Sequence, residues 1–525
     1  MAKAKSVAIV GAGPSGLVCA KVFLDDGFDV TVFDEQRELG GTWSAEKAYA
    51  DLHTQQPGGT YEFSDLFDGE EFAPWQKVHD YLQKYANLFH ITERIRFQTR
   101  VVSIDKDDLK NDAIPWMITV KTADGENETL KFDFVVVATG VYSKPFVPTF
   151  PGQHKFTGSI VYPSMIKSYD QLANKRVVVI GTGKCATDMA ILSGRFARSC
   201  HLVFRKAHWI TPRTIMGGRL PVRYLHTRVS NIPYIPFPGA PHTDLFHYFH
   251  QRFPNFAVKM SDNISADLLA THGPDLYEDK IFIPQYTFRH EDSLSTITSD
   301  FARLKKQGRI VGKLASIEEI IDGTTVRLDS GEELQADMII CATGFIKQFP
   351  FFSEKHAQMM SLETMSNGDT QTNLYRQILP IGIPNIGFIG FTISVAYCLI
   401  AEVSSHWLSE YFLKRLKLPS EEQMKAEISR RHQFLDQMFR TQKYQPVYYW
   451  IGLLDTLLQD MGLALHRTSN WITEYFGIYR PNRLKGLHEE RQIKAETGVV
   501  PHRWYFGFEN TVCLILIFIA LFVVF

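Results

Sequence analysis

The chain has 525 residues, 45% of them hydrophobic, and its 56 basic and 57 acidic side chains leave a net charge of -1. That length exceeds what one hydrophobic core supports, so two nucleotide-scale domains with appended structure are expected, with no general electrostatic pull toward nucleic acid. Six cysteines with no C-x-x-C pair and no zinc-like spacing point to a reduced, cytosolic compartment and no metal site.

Met1 to Lys5 pass straight into the apolar strand Ser6-Val7-Ala8-Ile9-Val10, which leaves no room for a cleavable signal. Asn127-Glu128-Thr129 and Asn263-Ile264-Ser265 spell glycosylation acceptors, which in a cytosolic body are chance tripeptides. The strand runs into Gly11-Ala12-Gly13-Pro14-Ser15-Gly16, the context in which G-x-G-x-x-G seats a pyrophosphate at a helix N-terminus. Gly11 makes the turn, Gly13 admits the phosphates and Gly16 lets helix and strand approach. Asp34 ends the next strand about twenty residues on, where a carboxylate holds both ribose hydroxyls.

The design of Val7 to Phe33 repeats from Val177 to Phe204, with Gly181-Thr182-Gly183-Lys184-Cys185-Ala186 as the glycine turn and Ala186 as a tolerated third position. Its second strand ends in Arg205-Lys206 where the first ends in an acid. A cation there suits a 2′-phosphate, so NADPH is favoured over NADH; the alternative is a solvated strand end. Each unit is answered by a later strand, Asp133 to Ala138-Thr139-Gly140 and Asp337 to Ala342-Thr343-Gly344. The expected class is therefore α/β with two Rossmann-like dinucleotide-binding domains.

Pro221 to Pro284, rich in Pro, His, Phe and Tyr, reads as an irregular insertion. Within it, His247 and His250 share a helix face and His242 is near, but no carboxylate or cysteine completes a set, so packing or pocket lining is favoured over a metal. Further on, Leu399 to Leu416 is helical and Ser420 caps a helix from Glu421 to Phe439, while the remainder to Tyr505 is aromatic and basic without an assigned element.

The run Thr511 to Phe525 is uncharged. As a helix it measures about 22 Å, short of the roughly 30 Å hydrocarbon core, and starting at Trp504 supplies the missing length. Trp504 and Tyr505 fit an interfacial belt, with Arg480, Arg483, Lys485, Arg491, Lys494 and Arg503 on the cytosolic side. A membrane anchor is expected; the alternative is a core helix or one buried in a homodimer.

The motifs together resemble the flavin-containing monooxygenases, relatives of the Baeyer-Villiger monooxygenases. Gly40-Gly41-Thr42-Trp43 is similar to the family's G-G-x-W, and Leu52-His53-Thr54-Gln55-Gln56-Pro57 to its L-x-T-N-x-P. Phe156-Thr157-Gly158 sits where F-x-G-x-x-x-H begins, Arg205 with Trp209 matches R-x-x-x-W, and Ala342-Thr343-Gly344-Phe345 matches A-T-G-Y. Leu379 to Gly390, Ala401-Glu402 with Trp407, and Leu418 to Met424 resemble the last conserved stretches, so the likeness spans about Ser6 to Arg431.

The resemblance implies that NADPH reduces FAD, that O2 adds to the flavin C4a, and that the resulting (hydro)peroxyflavin awaits a small-molecule substrate, an amine or sulfide in the family's usual case. FAD binding is expected of Gly11, Gly13, Gly16, Asp34, Gly41 and Trp43, and cofactor binding also of Pro14, Ser15, Thr42, Thr54, Gly140 and Gly344. The resemblance implies NADPH binding by Gly181, Gly183, Ala186 and Arg205, and residence on the endoplasmic reticulum membrane with a cytosolic catalytic body. The expected organisation is an FAD domain in two parts, 1–165 and 333–445, an NADPH domain with its insertion at 166–332, a helical extension at 446–503 and the tail at 504–525.

Three departures bear on the oxygenating site. Gln55 replaces an Asn, keeping an amide donor but moving it; Tyr162 replaces a His, removing a group that titrates near neutrality, and Ile166 replaces an aromatic. The stretch from Gly390 to Ser394 lacks the family's Gln-Pro. Gln55 and Tyr162 are the candidates for shaping oxygenation, with ordinary loop packing as the alternative. A flavin reductase or oxidase, a carbon-oxygenating or Baeyer-Villiger enzyme, and a flavoprotein scaffold or redox sensor remain open readings of the residues.

Overall fold

The computed structural model describes residues 4–56, 58–234, 252–291, 295–297, 299–438 and 450–499. Ser6–Val10 and Asp29–Phe33 are parallel strands joined by the Pro14–Asp25 helix, which takes Pro14 at its first position, where the missing N–H costs nothing. Three more parallel strands complete the sheet, giving the order 386–388, 134–137, 6–10, 29–33, 95–96. Val7, Ala8 and Ile9 are fully buried, as expected for a strand covered on both faces.

Arg176–Ile180, the helix Lys184–Phe196 and Ser199–Phe204 repeat the unit. Their sheet is again all parallel, in the order 311–314, 199–204, 176–180, 338–341, 159–161. In each half a three-stranded antiparallel meander leads into the returning strand: Arg100–Asp105, Trp116–Lys121 and Asn127–Phe132 before Phe134–Val137, and Ile317–Ile320, Thr325–Leu328 and Glu333–Gln335 before Met338–Cys341.

Because Ile386–Phe388 is the edge of the first sheet, the second fold is inserted within the first. The chain crosses at two segments that pair antiparallel, Lys144–Pro145 and Phe345–Ile346. The second sheet takes Ser159–Val161 and Met338–Cys341, both outside 166–332. Hydrogen-bonded register therefore puts the crossings near 145 and 345.

The insertion expected to be irregular contains the helix Pro254–Tyr277, broken at Gly273 (φ 51°, ψ -151°). Ala257 and Met260 pack against Tyr475 while Leu268 packs against Trp209 and Phe288. Two apolar faces serving two clusters leave no single stripe to read. The helices Tyr397–Phe412 and Glu421–Met438 form as expected, with Ser420 Oγ accepting from the Gln423 N–H at 3.3 Å.

The unassigned stretch folds into the helices Trp450–Asp460, Trp471–Phe476 and Leu487–Thr497. Buried ion pairs tie this extension to both nucleotide folds. Arg228 meets Asp455 at 2.6 Å and Glu474 at 2.7 Å, and Arg491 meets Asp26 at 2.8 Å and Glu410 at 2.7 Å. Among the described residues no helix is long and apolar enough to cross a membrane. The 504–525 tail and His242, His247 and His250 lie outside the described residues.

Candidate active site

The second glycine loop, together with Pro14 at the start of the helix after the first, lines one cavity of about 1490 Å³. The first-turn helices begin at Gly13 and Gly183, both in extended backbone, and neither has a side-chain cap. Their leading N–H groups are left for a ligand, and with the helix dipole they form two anion seats.

Backbone contact dictates the flanking glycines. Gly11 lies at φ +111° and a Cβ there would stand 2.6 Å from the Ala138 carbonyl oxygen; a Cβ on Gly16 would stand 1.9 Å from that of Gly11. Gly13 differs, since a Cβ would meet nothing nearer than the Gly41 Cα at 3.7 Å. The chain itself does not require glycine there, which fits a phosphate approaching the backbone from outside.

Pro14, Gly41, Thr42 and Trp43 of the first fold, Gly181, Gly183 and Arg205 of the second, and Gln55, Gly140, Tyr162 and Gly344 all line the cavity. The structure places Gly11, Gly13, Ser15, Gly16 and Ala186 off the cavity wall, and Thr54 on a separate recess of about 160 Å³. Asp34 is also off the wall. Its Oδ2 accepts the Ala12 N–H at 2.6 Å and its Oδ1 the Gln36 N–H at 2.8 Å, and burial raises its pKa against those bonds. Asp34 thus fastens the glycine loop to the strand end, and Gln36 is the residue that reaches the cavity.

Sequence reading missed an aromatic row. Trp43 Nε1–H donates to the Tyr61 hydroxyl, Tyr61 and Tyr397 stack with centroids 6.4 Å apart, and the Tyr397 hydroxyl and Ser15 Oγ share a 2.6 Å hydrogen bond. Burial pushes the Tyr397 phenol up to about 12, so it keeps its proton. Behind this row Glu402 accepts the Ser64 N–H at 3.0 Å, and burial lifts its carboxyl to about 7.

At the second loop Lys184 pairs with Asp188, whose Oδ2 also accepts the Tyr49 hydroxyl at 2.6 Å. Lys206 lies 4.5 Å from the Tyr286 ring. Arg205 is exposed at the cavity and has no ion-pair partner among the described residues, so its guanidinium is available to a phosphate. Burial pushes the Cys185 thiol up to about 11, which favours the protonated thiol near neutral pH. Tyr162 caps a short turn at Pro163–Met165, while Ile166 is fully buried and its carbonyl accepts the Ala50 N–H at 2.7 Å. Position 166 is a packing seat; position 162 faces the cavity.

Two parallel dinucleotide folds, one inserted in the other and sharing a cavity, define a flavoprotein oxidoreductase of the two-dinucleotide class. The family model described as flavin-binding monooxygenase-like matches residues 4–234 and 296–466. The chain belongs to this family and is an FAD-containing, NADPH-using monooxygenase of small molecules. Flavin-containing monooxygenase 1 of Sus scrofa is 28% identical over 444 residues, 82% of this chain and 77% of its own length. The S-allyl-L-cysteine S-oxygenase from Allium sativum has the same fold at TM-score 0.59 and 18% identity, with 98% of each chain covered. A steroid monooxygenase bound to NADP does so at 0.63 and 19%, covering 88% of this chain and 98% of that one.

Proposed function

We propose that this monooxygenase oxygenates the nitrogen or sulfur of a soft, small-molecule nucleophile at the wall formed by Gln55 and Tyr162. The observation that supports it is that the first residue of each uncapped helix, Pro14 and Lys184, lines one cavity. FAD is assigned to the first seat, held by the Gly11 to Gly16 loop, by Gly41, Thr42 and Trp43, and by Gly140 and Gly344, with Asp34 and Thr54 supporting the loop from behind. NADPH is assigned to the second, held by Gly181, Gly183 and Arg205 with Ala186 beneath. Bound there, FAD supplies hydride acceptance and oxygen activation. The chain's own residues bind, orient and keep water out: Gln55 lines the cavity wall, and the Tyr61 and Tyr397 phenols hold the glycine loop and the aromatic row in place.

Stopped-flow mixing of reduced enzyme with O2 and methyl phenyl sulfide tests this reading. Formation of sulfoxide coupled to NADPH oxidation is expected, and NADPH oxidation with no oxygenated product sinks it. Arg205→Ala is expected to raise KM for NADPH about 10- to 100-fold, from the loss of a charge-assisted hydrogen bond of roughly 1.5–3 kcal/mol, while leaving KM for NADH nearly unmoved. Equal effects on both cofactors would return Arg205 to a solvated strand end.

The apolar run from Thr511 to Phe525 is assigned as an anchor in the endoplasmic reticulum membrane, with the body on the cytosolic side. Full-length protein is expected to pellet with microsomes and a chain stopped after residue 500 to stay in the supernatant. Equal partition would refute the anchor.

A further inference from the structure

Glu402 stands on the helix that Tyr397 opens and is 1% exposed. Both of its oxygens turn to Ser64: Oε2 accepts the Ser64 N–H at 3.0 Å and Oε1 accepts the Ser64 hydroxyl. No cation pairs with it among the described residues, and Lys21 is engaged instead by Asp25 at 2.8 Å and Asp65 at 2.6 Å. Buried charges are normally met by a counter-charge, so a carboxylate left with two neutral donors is held charged at a cost.

This contact joins the two elements that carry the aromatic row. Ser64 belongs to the segment that bears Tyr61, and Glu402 to the helix that bears Tyr397. Tyr61 and Tyr397 stack, Trp43 donates to Tyr61, and all three line the cavity. We propose that Glu402 is a positioning residue: as a carboxylate it ties the Tyr61 segment to the Tyr397 helix and so sets the row against the flavin, and on taking up a proton it slackens that tie. The proposal rests on the assignment of FAD to the first seat.

Charge gives the tie its strength. A hydrogen bond to a carboxylate is about twice as strong as one between neutral groups, and a protonated carboxyl turns one of its acceptor sites into a donor. Other bonds of the segment do not duplicate it. The Phe63 N–H donates to the Tyr81 hydroxyl at 2.8 Å and Glu62 Oε1 accepts the Gly69 N–H at 2.7 Å, and neither bond reaches the Tyr397 helix.

The surroundings set the proton balance near neutrality. Burial and the Asp65 carboxylate raise the Glu402 pKa, the Ser64 bonds and Lys21 lower it, and it comes to about 7. Tyr81 and Tyr85 of the Trp75–Leu88 helix and Cys398 of its own helix also face it, and burial keeps all three protonated. Asp25 and Glu62 act on those groups in turn. The tie is therefore tight above about pH 7 and slackens as pH falls through it.

The test steps pH across neutrality in the oxidised FAD holoenzyme, whose flavin does not itself titrate there. Infrared difference spectra read the protonated carboxyl, and visible circular dichroism reads the packing around the flavin. Wild type is expected to gain a carboxyl band and to change its flavin dichroism together, with a common midpoint near pH 7. Glu402→Gln, which cannot take up the proton, is expected to lose both responses and to keep the acid-side dichroism throughout. Ser64→Ala removes a hydroxyl donor that favours the charged form, so both midpoints are expected to move up by about one pH unit. No carboxyl band, a dichroism flat in wild type, or one that titrates unchanged in Glu402→Gln overturns the proposal. Protein that takes up no FAD would instead defeat the assignment of the first seat, and the proposal with it.

Discussion

Arg228→Ala is expected to destabilise the protein by about 3–5 kcal/mol, the usual result of stranding buried carboxylates by removing their partner. Arg228 and Glu474 are each 1% exposed at the side chain and Asp455 is 4% exposed, so bulk solvent does not screen the stranded carboxylates. Thermal or urea unfolding measures the loss. The same site predicts acid sensitivity. Burial alone would raise the Glu474 pKa, but Arg228 and Arg483 outweigh it and hold it at about 2, below the ordinary 4.5. A carboxyl depressed in the folded state gives stability that is complete above its unfolded pKa and is lost as pH falls. The contribution should therefore fade between about pH 4.5 and 2, and Arg228→Ala should flatten that decline. A wild-type loss of the same steepness in the variant would place the acid sensitivity elsewhere.

Gly16→Ala is expected to cost about 1–3 kcal/mol and to yield colourless protein. The added methyl would stand 1.9 Å from the Gly11 carbonyl oxygen, a backbone atom that cannot rotate away, so helix and loop must separate. Gly13→Ala makes the contrast. With φ at -76° and its nearest contact at 3.7 Å, alanine fits without strain, so stability should hold while FAD retention falls. Flavin absorbance per mole of protein together with a melting curve separates the two outcomes. Full flavin occupancy in both variants would remove this loop from the cofactor site.

Both glycine turns, the strands around them and the inserted second fold were legible because their signals are local: apolar runs, a turn residue, a helix start. Asp34 was legible as a residue at a strand end, but its engagement by Ala12 and Gln36 N–H groups depends on how the loop closes over it. The row Trp43, Tyr61, Tyr397 joins residues up to several hundred positions apart, and no periodicity announces such a contact. Arg228 offers the same lesson, since its partners lie 227 and 246 positions away and a lone arginine in a Pro-rich stretch reads as surface. The 254–277 helix escaped notice because its apolar residues divide between two packing clusters.

The pairing of Lys144–Pro145 with Phe345–Ile346 has a consequence for biosynthesis. All five strands of the inner sheet have been synthesised once Cys341 is made, whereas the outer sheet waits for Ile386–Phe388 and the extension that braces both comes later still. The nascent chain thus finishes its second nucleotide fold before its first, and the N-terminal half must spend that interval with an open sheet edge.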